Sequence, residues 1–275
     1  MTLSICSFSS GSSGNSYLVK TEKHAVVIDA GISATRILKE LDRTDTPRDS
    51  VRALFLTHEH HDHVTGARVL LKRLPAASVF GSPGTLEGTA RRDIGQKCSF
   101  YGDIDKSRRN AIAPDEPARI GDLTIRAFRT LHDSAEPYGY IVSAGGKSVA
   151  VLTDTGVVTE ETLEYVADAD VLVLEANHDT ELLRHGRYPW YLKQRILGDR
   201  GHLSNTQCAA ALLRLFGYRD KKRVVLLAHL SAENNTPAIA ERTVLMALAR
   251  EGRYTGSDLY MGVLLRDEAS LLYQL

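Results

Sequence analysis

The sequence predicts an α/β fold in which two β-sheets pack face to face and helices cover their outer surfaces. Three observations lead there. The 275 residues suffice to bury a substantial core. Hydrophobic runs of strand length open each half of the chain and then give way to strand–helix alternation. Several of those runs end on a histidine or aspartate, which is how a rigid site is assembled from distant segments.

The elements follow in order. Residues 3–8, 17–20 and 25–29 read as short strands separated by turn residues. Residues 35–41 read as a helix, with Ile37, Leu38 and Leu41 on one face. A strand at 51–56 leads to a helix at 64–74, which Pro75 stops, and a strand at 77–80 follows. The middle, 119–152, is β-rich, with strands at 123–128, 138–143 and 147–152; Gly145-Gly146 marks a hairpin between the last two. Alternation then resumes through a helix at 160–167, a strand at 171–175, a helix at 206–216, a strand at 223–228 and a helix at 237–250. Strands at 259–265 and 271–275 come last and could pair with another chain, which leaves the oligomeric state open. With no internal repeat and no long linker, one domain over 1–275 is expected.

Composition narrows the function classes. Lys plus Arg equals Asp plus Glu, 34 against 34, so no global basic field marks a non-specific nucleic-acid coat. Three scattered cysteines, Cys6, Cys98 and Cys208, read as reduced thiols. The first ten residues lack a basic segment followed by an apolar core, and no apolar run approaches the roughly 20 residues of a membrane span. A soluble cytoplasmic protein is expected.

The densest information lies in Thr57-His58-Glu59-His60-His61-Asp62-His63, directly after the strand at 51–56. Imidazole and carboxylate together suit zinc, manganese or iron. Three later strands repeat the arrangement, ending at His132, Asp154 and His229. One such histidine alone reads as a hydrogen-bonded structural residue; four strand ends of this kind read as a metal centre.

The pattern His58-x-His60-x-Asp62-His63, then His132, Asp154 and His229, resembles the metallo-β-lactamase superfamily over almost the whole chain. The resemblance implies an αββα sandwich. It implies one metal on His58, His60 and His132, a second on Asp62, His63 and His229, and Asp154 bridging the two. Asp154 stands where zinc β-lactamases usually carry cysteine, and His60 where flavodiiron members carry a carboxylate, so neither of those activities is expected. Gly11-Ser12-Ser13-Gly14-Asn15, Thr153-Asp154-Thr155-Gly156, Glu175-Ala176-Asn177-His178-Asp179, Tyr188-Pro189 and Gly201-His202-Leu203-Ser204-Asn205 resemble the YycJ (WalJ or VicX) branch. That likeness implies a 5′ to 3′ DNA exonuclease using two divalent metal ions (Zn2+ or Mn2+, with iron as a third choice), DNA with a 5′ end as substrate, and mismatch repair as the setting.

The chemistry expected is phosphodiester hydrolysis. Two metal ions about 3.5–4 Å apart clamp the attacking and leaving oxygens and activate a bridging hydroxide at neutral pH. Asp62 would orient that nucleophile. His202 would protonate the leaving sugar oxygen, with Gly201 giving backbone freedom and Ser204 or Asn205 capping the helix near Thr206. Glu175 and His178, a carboxylate beside a histidine, are expected either to support the metal ligands from behind or to help His202. In the loop 9–16, Ser12, Ser13 and Asn15 are candidate phosphate contacts, against the plainer reading of a flexible turn. Residues 184–200 interleave Arg187, Lys193, Arg195 and Arg200 with Tyr188, Trp190 and Tyr191; Lys193 and Arg195 are the candidate DNA contacts there. Arg91-Arg92, Arg108-Arg109 and 219–223 read as solvated basic faces, and His24, His61 and His185 as loop histidines.

Other readings stay open. An RNA-processing nuclease would carry a Gly/Pro-rich arm, which is not seen, and only 74 residues lie between Asp154 and His229, too few for an inserted domain. A hydrolase of a small phosphodiester or thioester would use the same site. A metal-binding regulator would need no proton donor at His202.

Overall fold

A computed structural model describes residues 2–90 and 101–275. Arg91, Arg92 and Cys98 lie outside the described residues. Among those described, the strands form two seven-stranded mixed sheets.

The first sheet contains β1 (Ser4–Ser9), β2 (Ser16–Lys20), β3 (Ala25–Ile28), β4 (Val51–Phe55), β5 (Ser78–Gly81) and β6 (Arg109–Ala111). The second contains β7 (Ala118–Ile120), β8 (Leu123–Arg129), β9 (Tyr138–Ala144), β10 (Lys147–Leu152), β11 (Val171–Glu175), β12 (Arg223–Ala228) and β13 (Leu259–Val263). β14 (Tyr273–Gln274) returns to the first sheet and pairs antiparallel with β1. Each sheet begins antiparallel and becomes parallel partway, at β3–β4 and at β10–β11.

Alternation along each strand sorts its side chains between layers. In β3, Val26 and Ile28 face the opposite sheet, where Ile125, Tyr140, Val151 and Val173 meet them. Ala25 and Val27 face outward, onto α1 (Ala34–Arg43) and onto α3 (Ala67–Arg73), which follows the short α2 (His61–Val64). α4 (Pro83–Gly88) adds Leu86 to that layer. The outer face of the second sheet, including Leu172, Leu174 and Leu227, is covered by α5 (Glu160–Val166) and, after α6 (Thr180–His185) and α7 (Trp190–Leu197), by α8 (Asn205–Tyr218) and α9 (Pro237–Arg250). Strands buried on both faces explain the continuous hydrophobic runs. The layering is therefore αββα, as expected.

Three details depart from the sequence reading. The helix expected at 64–74 is broken: a Cβ on Gly66 would lie 2.1 Å from the Ile32 carbonyl oxygen, and the Gly66 N–H bonds to Ala30 O at 2.7 Å instead of continuing the helix. The final strands are shorter than 259–265 and 271–275, and they pair within the chain, on β12 and β1. α4, α6 and α7 were not anticipated, because their apolar residues show no helical period. Ser204 caps α8 as expected, and Gln207 completes a capping box. No helix among the described residues is long and apolar enough to cross a membrane.

Candidate metal centre

The strand ends on one edge of the sandwich carry the chemistry. β3 runs into Asp29, β4 into 57–63, β8 into His132, β10 into Asp154 and β12 into His229, and β11 ends on Glu175. Ligand sites in parallel sheets gather at these carboxyl ends. Asp29, Asp154 and His229 each adopt a left-handed backbone, with φ of 60°, 56° and 56°. Such a conformation is uncommon for residues other than glycine, and each costs on the order of 1 kcal/mol or more. It turns the chain sharply as it leaves the sheet.

All seven proposed ligands converge. His58, His60 and His132 form one group whose ligand atoms lie within 4.8 Å of one another, and Asp62, His63 and His229 form another. Asp154 stands between them: its Oδ2 is 3.4 Å from His63 Nε2, and its Oδ1 is 3.5 Å from His229 Nε2 and 3.9 Å from His132 Nε2. Asp62 Oδ2 lies 3.6 Å from His63 Nε2 and 3.5 Å from His229 Nε2.

Hydrogen bonds fix which nitrogen of each ring faces inward. A carboxylate only accepts, so a ring nitrogen against it must carry the proton. His63 Nδ1 donates to Asp29 Oδ2 at 2.7 Å, and His229 Nδ1 donates to Glu175 Oε1 at 2.8 Å. His132 Nδ1 donates to Gly201 O at 3.1 Å. The Thr57 hydroxyl donates to Asp29 and so accepts from His58 Nδ1, 3.1 Å away. In all four rings Nε2 faces the centre; that of His63 also lies 3.1 Å from Asn15 Nδ2, and that of His132 lies 3.3 Å from Asp133 Oδ1. Metal-ligating histidines are oriented in this way.

The charges follow the packing. Burial first, then the charges of His63, His60 and His132, hold His58 well below the usual histidine range. Burial pushes His132 down to about 4. Burial opposes charge on His63 and His229 as well, but carboxylates outweigh it. Asp154, Asp29 and Asp62 hold His63 well above the usual range, and Asp154, Asp62 and Glu175 lift His229 to about 10. Burial would raise Asp62, Asp154 and Glu175, yet the surrounding histidines keep all three below the usual carboxylate range.

These residues fit a pair of divalent cations. His58 Nε2, His229 Nε2 and Asp154 Oδ2 are buried with no hydrogen-bond partner. A buried orphan of this kind costs about 1–3 kcal/mol, and two cations, one beside His58 and one beside His229 with Asp154 shared, would satisfy all three. Metal–ligand distances of about 2.0–2.2 Å place ligands of a tetrahedral ion roughly 3.3–3.6 Å apart, which matches the closer separations here.

Beside the centre, His202 Nδ1 donates to Glu175 Oε1 at 2.7 Å, and its ring centroid is 4.9 Å from that of His132. Glu175 is completely buried; its Oε2 accepts from the backbone N–H of Thr155 and of Leu203, both at 3.1 Å. One carboxylate thus orients His202 and His229 together. The expected pairing of Glu175 with His178 is corrected: both ring nitrogens of His178 are buried without a partner, and the residue acts through its backbone, accepting from Asn205 N at 2.9 Å. Gly201 serves close packing rather than freedom, since a Cβ there would lie 2.2 Å from Ile196 O.

The outer candidates separate. Ser12 and Ser13 are exposed at the tip of their loop. Asn15 is fully buried: its backbone N–H bonds to Asp62 O at 2.8 Å, and its side-chain amide bonds to Gly11 O at 3.1 Å. It braces the ligand-bearing turn rather than meeting substrate. Lys193 is occupied by Arg184 O at 2.7 Å, and Arg195 is paired with Asp133, so both act as internal tethers in this structure. Arg108 and Arg109 bond backbone carbonyls, and His24 pairs with Asp122 at 2.8 Å. Sequence reasoning missed Asp29 and Thr57. Asp29 offered the same signal as Asp154, a strand ending on a carboxylate.

Comparison with known proteins agrees with this geometry. Residues 24–230 match the family model described as the beta-lactamase superfamily domain. The chain is 36% identical to the exodeoxyribonuclease WalJ of Streptococcus pneumoniae serotype 2 over 249 residues, covering 90% of this chain and 89% of that one. It is 31% identical to the exodeoxyribonuclease YycJ of Bacillus anthracis over 252 residues, covering 92% and 91%. In structure it resembles the metallo-beta-lactamase fold protein YhfI from Bacillus subtilis, with a TM-score of 0.69, 17% identity and full coverage of both chains; that likeness concerns the fold alone.

Proposed function

This chain belongs to the β-lactamase superfamily and, within it, to the group of the WalJ and YycJ exodeoxyribonucleases, and on that premise we propose that it is a dinuclear-metal-dependent 5′ to 3′ exonuclease of DNA. The observation that carries the reading is the convergence of seven ligand side chains around Asp154, next to a histidine held by Glu175. His58, His60 and His132 would hold one ion and Asp62, His63 and His229 the other, with Asp154 shared. When bound, the ions (zinc or manganese, with iron as the third choice) supply Lewis-acid activation of water and of the phosphate.

The chain's own residues do the rest. Asp62 keeps one oxygen toward His63 and His229, and its other oxygen accepts a hydrogen bond from the attacking water. His202 presents Nε2 to the leaving sugar oxygen and gives it a proton, while Glu175 accepts from Nδ1 and steadies the charged ring. Asn15 and Asp29 hold the turn 58–63 in place. One domain over 1–275, a cytoplasmic setting and a part in DNA mismatch repair complete the proposal.

The test uses purified protein, Mn2+ and a 5′-phosphorylated duplex labelled at either end. Stepwise loss from the 5′ end is the expected result. Hydrolysis of small phosphodiesters with the DNA left intact would overturn the nuclease reading.

A further inference from the structure

α7 breaks the usual rule for a surface helix. Of its eight residues only Ile196 is buried, whereas Trp190 is 67% and Tyr191 72% exposed, the most exposed aromatic side chains among the described residues. Among the described residues no other element covers them. We propose that Trp190 and Tyr191 form a stacking platform for unpaired bases of the DNA strand entering the metal centre, so that the enzyme receives a strand end already parted from its complement. The inference rests on the nuclease reading and adds to it the form in which the end is recognised.

The helix is fixed to the centre at its far end. Ile196 O accepts from His202 N at 3.0 Å, and Gly198 O accepts from Gly201 N at 2.8 Å. Arg195 grips Asp133, the neighbour of His132. At the near end, Pro189 O accepts from Leu192 N at 3.0 Å, and Lys193 Nζ bonds to Arg184 O at 2.7 Å. A tethered helix holds the aromatic pair at a set distance from His202. Trp190 and Ile196 are separated by about 9 Å along the helix axis at 1.5 Å per residue, a reach of two to three stacked bases at about 3.4 Å each.

Charge favours a nucleic acid as the occupant. Residues 184–200 hold five Arg and Lys against the single carboxylate Asp199. Two of the cations, Arg187 and Arg200, are exposed and have no partner among the described residues; they lie on either side of the aromatic pair in sequence. Cations along a backbone with aromatic faces between them are how single strands are bound. A second copy of the chain meeting this face about a two-fold axis would set the same cations against each other.

Trp190 is the sole tryptophan, so its fluorescence reports on the platform directly. We expect a 5′-phosphorylated single-stranded oligothymidylate with phosphorothioate linkages to quench it, and the same strand fully paired to quench it less. The double variant Trp190→Ala/Tyr191→Ala should raise KM for DNA roughly tenfold or more with kcat retained, and Trp190→Phe/Tyr191→Phe should restore it. Cleavage of DNA without quenching would overturn the platform, as would an unaltered KM in the alanine variant. Quenching without cleavage would defeat the nuclease reading and leave the platform standing. Sedimentation showing a wild-type dimer that the alanine variant dissociates would assign the face to self-association and overturn the proposal.

Discussion

The two halves of the metal centre are built differently. On the side of His58, His60 and His132, the rings of His58 and His132 are oriented by neutral groups, the Thr57 hydroxyl and the Gly201 carbonyl, and burial holds both below the usual histidine range. On the side of Asp62, His63 and His229, the rings are backed by the carboxylates Asp29 and Glu175 and, without metal, carry protons. The first half offers lone pairs ready for an ion. The second must exchange protons for it, and its carboxylates then make its imidazoles stronger donors. Two ions held a few ångströms apart would thus be governed by different chemistry, and filling should be ordered.

The sharpest way to break that picture is to remove what the halves share. Asp154→Asn should lower activity more than about 100-fold and deplete both ions, read by elemental analysis beside the end-labelled assay; a variant keeping one ion tightly would show the halves to be independent. Next, Asp29→Asn should weaken the ion at Asp62, His63 and His229 by about 10–100-fold and spare the other, measured by stepwise metal titration. Equal loss at both would erase the distinction.

Proton exchange gives a third test. In the metal-free protein His229 titrates near 10 and His63 also above its usual range. Their raised values contribute stability that is complete below the ordinary histidine value of about 6.5 and fades as pH climbs through the folded value. The carboxylates Asp62, Asp154 and Glu175, held low, contribute stability above their ordinary values that is lost on acidification. Metal-free Tm should therefore fall from neutral pH toward 10, while affinity for the second ion rises over the same window. Calorimetry in buffers of different ionisation heat should show proton release for the second ion and little for the first. The smallest effect concerns Arg195→Ala, which removes a half-exposed ion pair with Asp133 worth about 0–1 kcal/mol; both affinities should stay within about threefold.

What could be read from the sequence divides along the same line. The ligands stood out because each follows a run of strand residues, and a run such as Val171–Glu175 states both its burial and its end. The two layers followed from the same runs. Asp29 escaped notice because a single strand-end carboxylate looks ordinary until His63 and Thr57 are seen beside it. Lys193 and Arg195 looked free because a sequence does not display Arg184 O or Asp133. α7 escaped because Ile196 is the single buried residue among its eight, too little to mark an apolar stripe with a period to detect.

The left-handed bends at Asp29, Asp154 and His229 leave these positions little room to drift. Few side chains tolerate that backbone, and among the alternatives asparagine and glycine sit most easily. Lineages that lose an ion here would be expected to pass through those two residues, keeping the outline of the cradle after its chemistry has gone.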